Sequence, residues 1–256
     1  MAIHPTAIIE RGAQVPDSVE IGPYAYIGPH VTLGEKTVVD HHASVEGVTF
    51  LGEGNRIFPY ACIGGLTQDL KYKGNSVGLK IGNRNIFREY VTVHSSTDSG
   101  KFTEIGDDNA FLAYSHIAHD CNVGNHVIMS SLAALGGYVT VGNYVNIGWN
   151  AGIHQFCRVG DYAMLAASSK TVMDVLPFMI VDGSPSRTRA FNKVNLERQG
   201  FEKAEIEAAK NVFRLLFFSK TPRKDAVEYI CSIEHTCSKI YSVVLKAVEA
   251  SVRGFC

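Results

Sequence analysis

Every sixth residue from Ile3 to Ile63 is aliphatic: Ile3, Ile9, Val15, Ile21, Ile27, Leu33, Val39, Val45, Leu51, Ile57 and Ile63. The phase resumes at Ile81, Phe87 and Val93. It then runs from Ile105 through Phe111, Ile117, Val123, Met129, Leu135, Val141, Ile147, Ile153 and Val159 to Leu165. A helix repeats its buried face about every 3.6 residues and a strand every second one, so neither alone produces this period. Short flat strands joined by tight corners do. The aliphatic side chain points inward, and the glycine that often follows it (Gly22, Gly28, Gly82, Gly106, Gly124, Gly142) is expected to permit the corner. A small or branched residue four places after the aliphatic, such as Ala25, Val31, Ala61 or Ala133, fills the remaining interior. Three hexapeptides close a triangular coil, and successive coils stack about 4.8 Å apart as parallel strands. The expected fold is mainly β, a parallel β-helix.

Two segments interrupt the repeat while keeping its phase. LTQDLKYKGNSVG, residues 66–78, and the polar run 95–104 are expected to be loops thrown out of the solenoid. Long loops on rigid scaffolds commonly carry function. After Leu165 the repeat stops, and Pro177 with the GSP at 183–185 is expected to mark a linker. Helical spacing follows over Glu202 to Ser219, Asp225 to Ile233 and Cys237 to Val252, with Thr221 as N-cap and Pro222 in a first turn. The division is therefore a β-helix domain over 1–186 and a small helical domain over 187–256.

Charge follows the same division. The whole chain is nearly balanced, with 24 Lys+Arg against 25 Asp+Glu, which gives no case for nucleic-acid binding. From Ser186 onward, however, 13 basic residues face 8 acidic ones, so a basic tail follows an acidic body and suggests an acidic partner. No apolar run approaches the roughly 18 residues of a membrane span. The N-terminus has no basic region or apolar stretch of a signal peptide, so a cytoplasmic protein is expected. The six cysteines form no CxxC pair and read as reduced thiols.

Positions one coil apart lie above one another on the same wall. His119, Gly137 and Gln155 therefore share a column, with Ala118, Gly136 and His154 in the next and Asp120, Tyr138 and Phe156 in the one after. A histidine can take a proton from a hydroxyl, and a glycine N–H can stabilise the oxyanion that forms on a carbonyl under attack. The pairing suits acyl transfer to an alcohol and needs neither a covalent intermediate nor a cofactor. Two other readings stay open on these residues. HIAHDC is also what a polar corner looks like, and His116, His119 and His154 could supply three imidazoles to a metal in the manner of a γ-type carbonic anhydrase. Adjacent His41 and His42 point opposite ways on a strand and read as surface. Gln68, Asp69, Lys71 and Tyr72 of the first loop combine groups that can grip a sugar or a nucleotide. A non-catalytic scaffold is a further reading.

Hexapeptide repeats, the QDLKY loop, HIAHDCNVGN from His116, HQFC from His154 and a basic helical tail together resemble one family, the UDP-N-acetylglucosamine O-acyltransferases of lipid A synthesis. The resemblance runs from HPTA at His4 to RQGF at Arg198. It implies a left-handed β-helix and a homotrimer with active sites in the clefts between subunits. The implied reaction carries a 3-hydroxyacyl group from acyl carrier protein to the 3-hydroxyl of UDP-N-acetylglucosamine. Carried over, His119 is the general base supported by Asp120, and Gly137 gives the oxyanion-hole N–H. Gln68, Asp69, Lys71, Tyr72, His116, His154 and Gln155 meet the sugar, the thioester region or the acyl chain, and Asn192 and Arg198 hold the uridine diphosphate. Lys170, Arg187, Arg189 and Lys193 are the expected docking surface for the acidic carrier protein.

Three positions depart from the family pattern. Tyr138 stands where the family usually has histidine, and Gln199 where it often has a second arginine. Ala167 occupies the acyl-chain ruler position that is glycine in long-chain members, with Met173 expected to help close the groove. A chain limit shorter than the glycine type allows follows. The resemblance disfavours the paralogues that acylate UDP-3-O-acyl-glucosamine, which are expected to carry an extra N-terminal domain.

Overall fold

A computed structural model describes residues 2–74 and 77–256. Most strands are two residues long, the shortest length that turns one aliphatic side chain inward and its neighbour outward. Among the described residues they assort into three sheets of 11, 9 and 7 strands, the walls of a left-handed triangular prism. The inward column is sealed: Ile21, Ile27, Val39, Ile57, Phe87, Ile117, Met129 and Leu165 are at most 1% exposed.

Register follows the repeat. His116 pairs with Ala134 and Ala134 with Gly152, each one 18-residue coil on. Across the two inserted loops the pairing jumps but stays in phase: Cys62 meets Thr92, 30 residues on, and Thr92 meets His116, 24 on. The first insert thus adds two hexapeptides of length and the second adds one. Both projecting segments are shorter than expected, because Gly78–Ile81 and Phe102–Ile105 are strands of the seven-stranded wall. The repeat also runs one step past Leu165. Lys170–Thr171 joins the nine-stranded wall, with Thr171 fully buried in the position an aliphatic side chain would take.

The corners differ from the expectation. Of the glycines after the inward aliphatics, only Gly64 has a positive φ; the left-handed residue comes two places later and is usually not glycine. Tyr24, His42, Tyr60, Tyr90, Tyr114, Asp120, Tyr138 and Phe156 all sit near φ +60°. Many of these corner rings stack on the coil above, as Tyr60 on Tyr90 at 5.1 Å and Tyr90 on Tyr114 at 4.8 Å. Such stacks return about 0.5–1.5 kcal/mol per pair beyond area burial, offsetting the left-handed backbone. The glycines serve closeness instead. A Cβ on Gly82 would stand 2.8 Å from the Gly106 carbonyl oxygen, and one on Gly106 the same distance from that of Gly124.

The prism ends in a hairpin rather than a linker. Met179–Gly183 pairs antiparallel with Ser186–Phe191, and the GSP segment is its turn. Four helices follow: α1 (Lys193–Arg198), α2 (Lys203–Phe213), α3 (Arg223–Ser232) and α4 (Ser238–Glu249). α2 runs on as a π-helical turn, Arg214–Phe218, and Pro222 rather than Thr221 occupies the cap position of α3. Their apolar faces form a second core around Leu196, Val212, Ile230 and Val244, with Leu176, Phe178 and Met179 from the end of the prism. Phe255 pairs with Asp174, and Cys256 packs into the prism core.

Candidate active site

The nine-stranded wall presents His116 outward, and the chain turns the corner at His119–Asp120. Asp120 takes the left-handed conformation there, at φ +58°, which folds its carboxylate back beside the preceding imidazole. His119 Nδ1 lies 2.8 Å from Asp120 Oδ2; a carboxylate only accepts, so Nδ1 carries the proton and Nε2 is left as the basic nitrogen. The backbone N–H of Thr97 donates to both Asp120 oxygens, at 3.1 and 3.0 Å. The side chains are nearly enclosed, with 13% of His119 and 5% of Asp120 exposed.

Gly137 lies against that imidazole. A Cβ there would stand 2.5 Å from His119 Cε1 and 2.6 Å from Nε2, so only glycine lets the ring rest where it does. The N–H groups of Gly136 and Tyr138 are engaged by the carbonyls of Ile153 and His119. Among the described residues the Gly137 N–H between them makes no backbone hydrogen bond, which leaves one donor beside the basic nitrogen.

Two further imidazoles line the approach. Thr92 Oγ1 is 2.7 Å from His116 Nδ1, and burial lowers the His116 pKa. His94 is 8% exposed and meets His116 edge-to-face at 4.9 Å; burial, then the neighbouring His116 and His119, depress its pKa to about 4. Both are neutral at pH 7. His94 was absent from the residues singled out by sequence, although it directly follows the inward Val93 where the second insert leaves the wall. Tyr138 stands edge-on to His119 at 5.4 Å and stacks on Phe156 at 4.8 Å. Burial and the negative charge of Asp120 push its pKa up to about 12, so its hydroxyl keeps its proton. Burial likewise raises the Cys121 thiol to about 12, which removes it as a nucleophile.

The first loop reaches the same region. Asp69 is half-buried and its Oδ1 accepts the Lys71 N–H at 2.8 Å, while Gln68 and Lys71 are exposed and Tyr72 is half-buried. Tyr72 lines a cavity of about 280 Å³ in the neighbouring coils, together with His30, Glu46, Leu66 and Ser95. His154 and Gln155 are exposed on the coil above, with His154 Nδ1 3.2 Å from the Gln155 carbonyl. Among the described residues no three His, Cys, Asp or Glu side chains converge to hold a metal ion.

The remaining expected residues lie apart. Asn192 is 3% exposed and caps α1; its Nδ2 donates to the Tyr162 carbonyl at 2.8 Å and its Oδ1 accepts from the Asn195 N–H. Its amide is thus occupied inside the fold, while Arg198 is exposed at the last turn of α1. Ala167 is exposed. Met173 is instead packed against the prism core, its Cε 3.1 Å from where a Gly254 Cβ would stand. Its side chain is committed to the end of the prism, because the chain leaves the hexapeptide path there.

A curated acyl-[acyl-carrier-protein]–UDP-N-acetylglucosamine O-acyltransferase of Thermodesulfovibrio yellowstonii is 42% identical over 257 aligned positions, covering 99% of this chain and 98% of the relative. The chain belongs to the UDP-N-acetylglucosamine O-acyltransferase family. A like-named relative from Burkholderia lata is 49% identical, over 84% of this chain and 82% of its own. The model of the second domain of UDP N-acetylglucosamine O-acyltransferases matches residues 174–256. Among solved structures, the UDP-N-acetylglucosamine acyltransferase of Francisella novicida superposes with a TM-score of 0.95 at 33% identity, covering 99% of this chain and 93% of that one. The corresponding enzyme of Campylobacter jejuni gives 0.92 at 34%, covering 99% and 98%. No helix among the described residues is long and apolar enough to cross a membrane.

Proposed function

We propose that this member of the family transfers a 3-hydroxyacyl chain from acyl carrier protein to the 3-hydroxyl of UDP-N-acetylglucosamine, the first step of lipid A synthesis, in the cytoplasm. The observation that carries the reading is the imidazole of His119 resting on Gly137, with its Nδ1 proton held by Asp120 and a free N–H beside it. His119 Nε2 takes the proton of the sugar 3-hydroxyl as the oxygen attacks the thioester carbonyl. The carbonyl oxygen becomes an oxyanion and accepts the Gly137 N–H, which is preorganised by the coil beneath it. Collapse expels the carrier thiolate, which recovers the proton from the His119 imidazolium. Asp120 keeps its hydrogen bond to His119 Nδ1 and stabilises the imidazolium in between.

Neutral His116 supports the acceptor end by offering a hydrogen bond without adding a positive charge beside the base. Asp69 and Lys71, with Gln68 and Tyr72, supply the polar groups that meet the sugar, and His154 and Gln155 flank the thioester. Arg198 is the group left for the diphosphate, with Asn192 fixing the helix that carries it. Ala167 limits the acyl chain by its exposed methyl. The acidic carrier docks on Lys170, Arg187, Arg189 and Lys193, all exposed. Three copies assemble with their active sites in the clefts between prisms; the exposed edge of Tyr24, Tyr60, Tyr90 and Tyr114 supplies apolar surface for such packing. The prism and the helical tail act as two domains dividing near residue 186.

Purified protein, UDP-N-acetylglucosamine and acyl carrier proteins loaded with chains of 10 to 16 carbons, with products read by mass spectrometry, test the reading. Acylated sugar nucleotide is the expected product, and His119→Ala loses about 10²–10⁴-fold in turnover while its circular dichroism is unchanged. Near-normal turnover by that variant would remove His119 as base, and no acylation with any chain length would remove the activity.

A further inference from the structure

The hexapeptide ladder fixes the catalytic corner, but it does not fix the QDLKY loop relative to that corner. The loop leaves the wall after Cys62–Gly65, and the ladder resumes only at Gly78–Ile81. Thr97 leaves the same wall from the second insert, after Thr92–His94. Thr67 and Thr97 are each 8% exposed, and their Oγ1 atoms lie 2.8 Å apart. We propose that this hydroxyl pair is a latch that holds the QDLKY loop in register with the Asp120–His119 pair, which makes Thr67 and Thr97 positioning residues for acyl transfer. The proposal rests on the reading above in which His119 is the base and Asp69 and Lys71 meet the acceptor.

The bonds on either side of the pair form a continuous path. On the loop side, Thr67 Oγ1 accepts the Asp69 N–H at 3.2 Å, and Asp69 Oδ1 accepts the Lys71 N–H at 2.8 Å. On the corner side, the Thr97 N–H donates to both oxygens of Asp120, whose Oδ2 receives the His119 Nδ1 proton. A rigid link therefore runs from the residues that hold the sugar to the nitrogen that deprotonates it. It joins two inserts, 30 residues apart in sequence, that share no strand pairing at these positions. Burial strengthens it, since a hydroxyl without a partner in a dry site is costly and the closed pair is the favoured arrangement. The chemical reason for such a link is distance. The sugar hydroxyl must sit within hydrogen-bond reach of Nε2, and displacing reacting groups by roughly 1 Å can cost about 10²-fold.

Thr67→Val and Thr97→Val each remove the hydroxyl at constant shape, and the second keeps the backbone N–H on Asp120. Each is expected to lower kcat about ten-fold and to raise the KM for UDP-N-acetylglucosamine several-fold, with the KM for acyl carrier protein unchanged. The double variant should match Thr67→Val rather than the product of the singles, because the shared hydroxyl bond is lost only once while the Asp69 N–H contact is lost with Thr67 alone. Thr67→Ser should restore kcat to within about two-fold. Where a valine variant does not fold, Thr67→Ala, which adds no bulk, takes its place. Folded variants with normal kcat and normal KM overturn the latch. So does a loss that tracks only the folded fraction, or one that raises both KM values alike. His119→Ala assayed in parallel separates the two readings. If it is inactive while Thr67→Val is normal, the latch alone fails; if it is active, the base assignment fails first.

Discussion

Gly137 acts through the atom it lacks. His119 occupies the space in which any Cβ would stand, at 2.5 Å from Cε1, so Gly137→Ala has to push the imidazole off its seat. Gly137 itself is outside the positive-φ set, so alanine brings no backbone strain and the variant should fold. The expected outcome is a turnover about 10²–10³-fold lower, the scale of losing one aligned oxyanion contact, with a melting temperature close to that of the parent protein. Unchanged kcat would show that ring and amide do not act together. This pairing was legible in the sequence because His119 and Gly137 lie one coil apart on an unbroken run of the repeat. His94, Thr67 and Thr97 were not. They reach the site across inserts, where spacing in the chain no longer measures distance in space. The Asp120 conformation was also hidden, since an aliphatic period reports which residues face inward and says nothing of how the corner between them turns.

At the scale of the element, the repeat has a second buried strand of logic that hydrophobicity passes over. Asn55, Asn85 and Asn109 stand four places after inward aliphatics, where the interior otherwise takes small or branched residues, and each is at most 1% exposed. Their amides form a ladder. Asn85 N–H donates to Asn55 Oδ1 at 2.9 Å, Asn109 N–H to Asn85 Oδ1 at 3.0 Å, and Val127 N–H to Asn109 Oδ1 at 2.7 Å. The Asn85 Nδ2 also donates to the Gly106 carbonyl at 2.9 Å. Asn85→Ala strands the Asn109 donors and one carbonyl in a dry interior, so it should destabilise the fold by about 3 kcal/mol. Denaturant unfolding reads this directly, and a change below about 0.5 kcal/mol would mean that the ladder is dispensable. These asparagines sit on the coils around the two inserts. Polar side chains there give the displaced strands a register that aliphatic packing alone leaves free to slip.

Over the whole molecule, the near-neutral charge conceals opposed halves, and the structure gives the excess on the basic side a location. Lys170 comes from the end of the nine-stranded wall, Arg187 and Arg189 from the hairpin that closes the prism, and Lys193 from the start of α1. All four are exposed; among the described residues no ion pair engages the first three, and Lys193 meets only Glu197 in its own helix, at 3.4 Å. Positive charge left unpaired on a rigid rim raises the encounter rate with an acidic partner and fades with salt, over a Debye length of about 10 Å at 0.1 M. Arg187→Glu with Arg189→Glu should therefore raise the KM for acyl carrier protein about ten-fold or more at low ionic strength. The KM for UDP-N-acetylglucosamine should stay unchanged, because neither arginine is among the groups assigned to the nucleotide. The gap between variant and parent should close as salt rises, which a purely structural defect would not do. A variant that binds the carrier normally at low salt, or loses the nucleotide instead, would place the docking surface elsewhere on the basic tail.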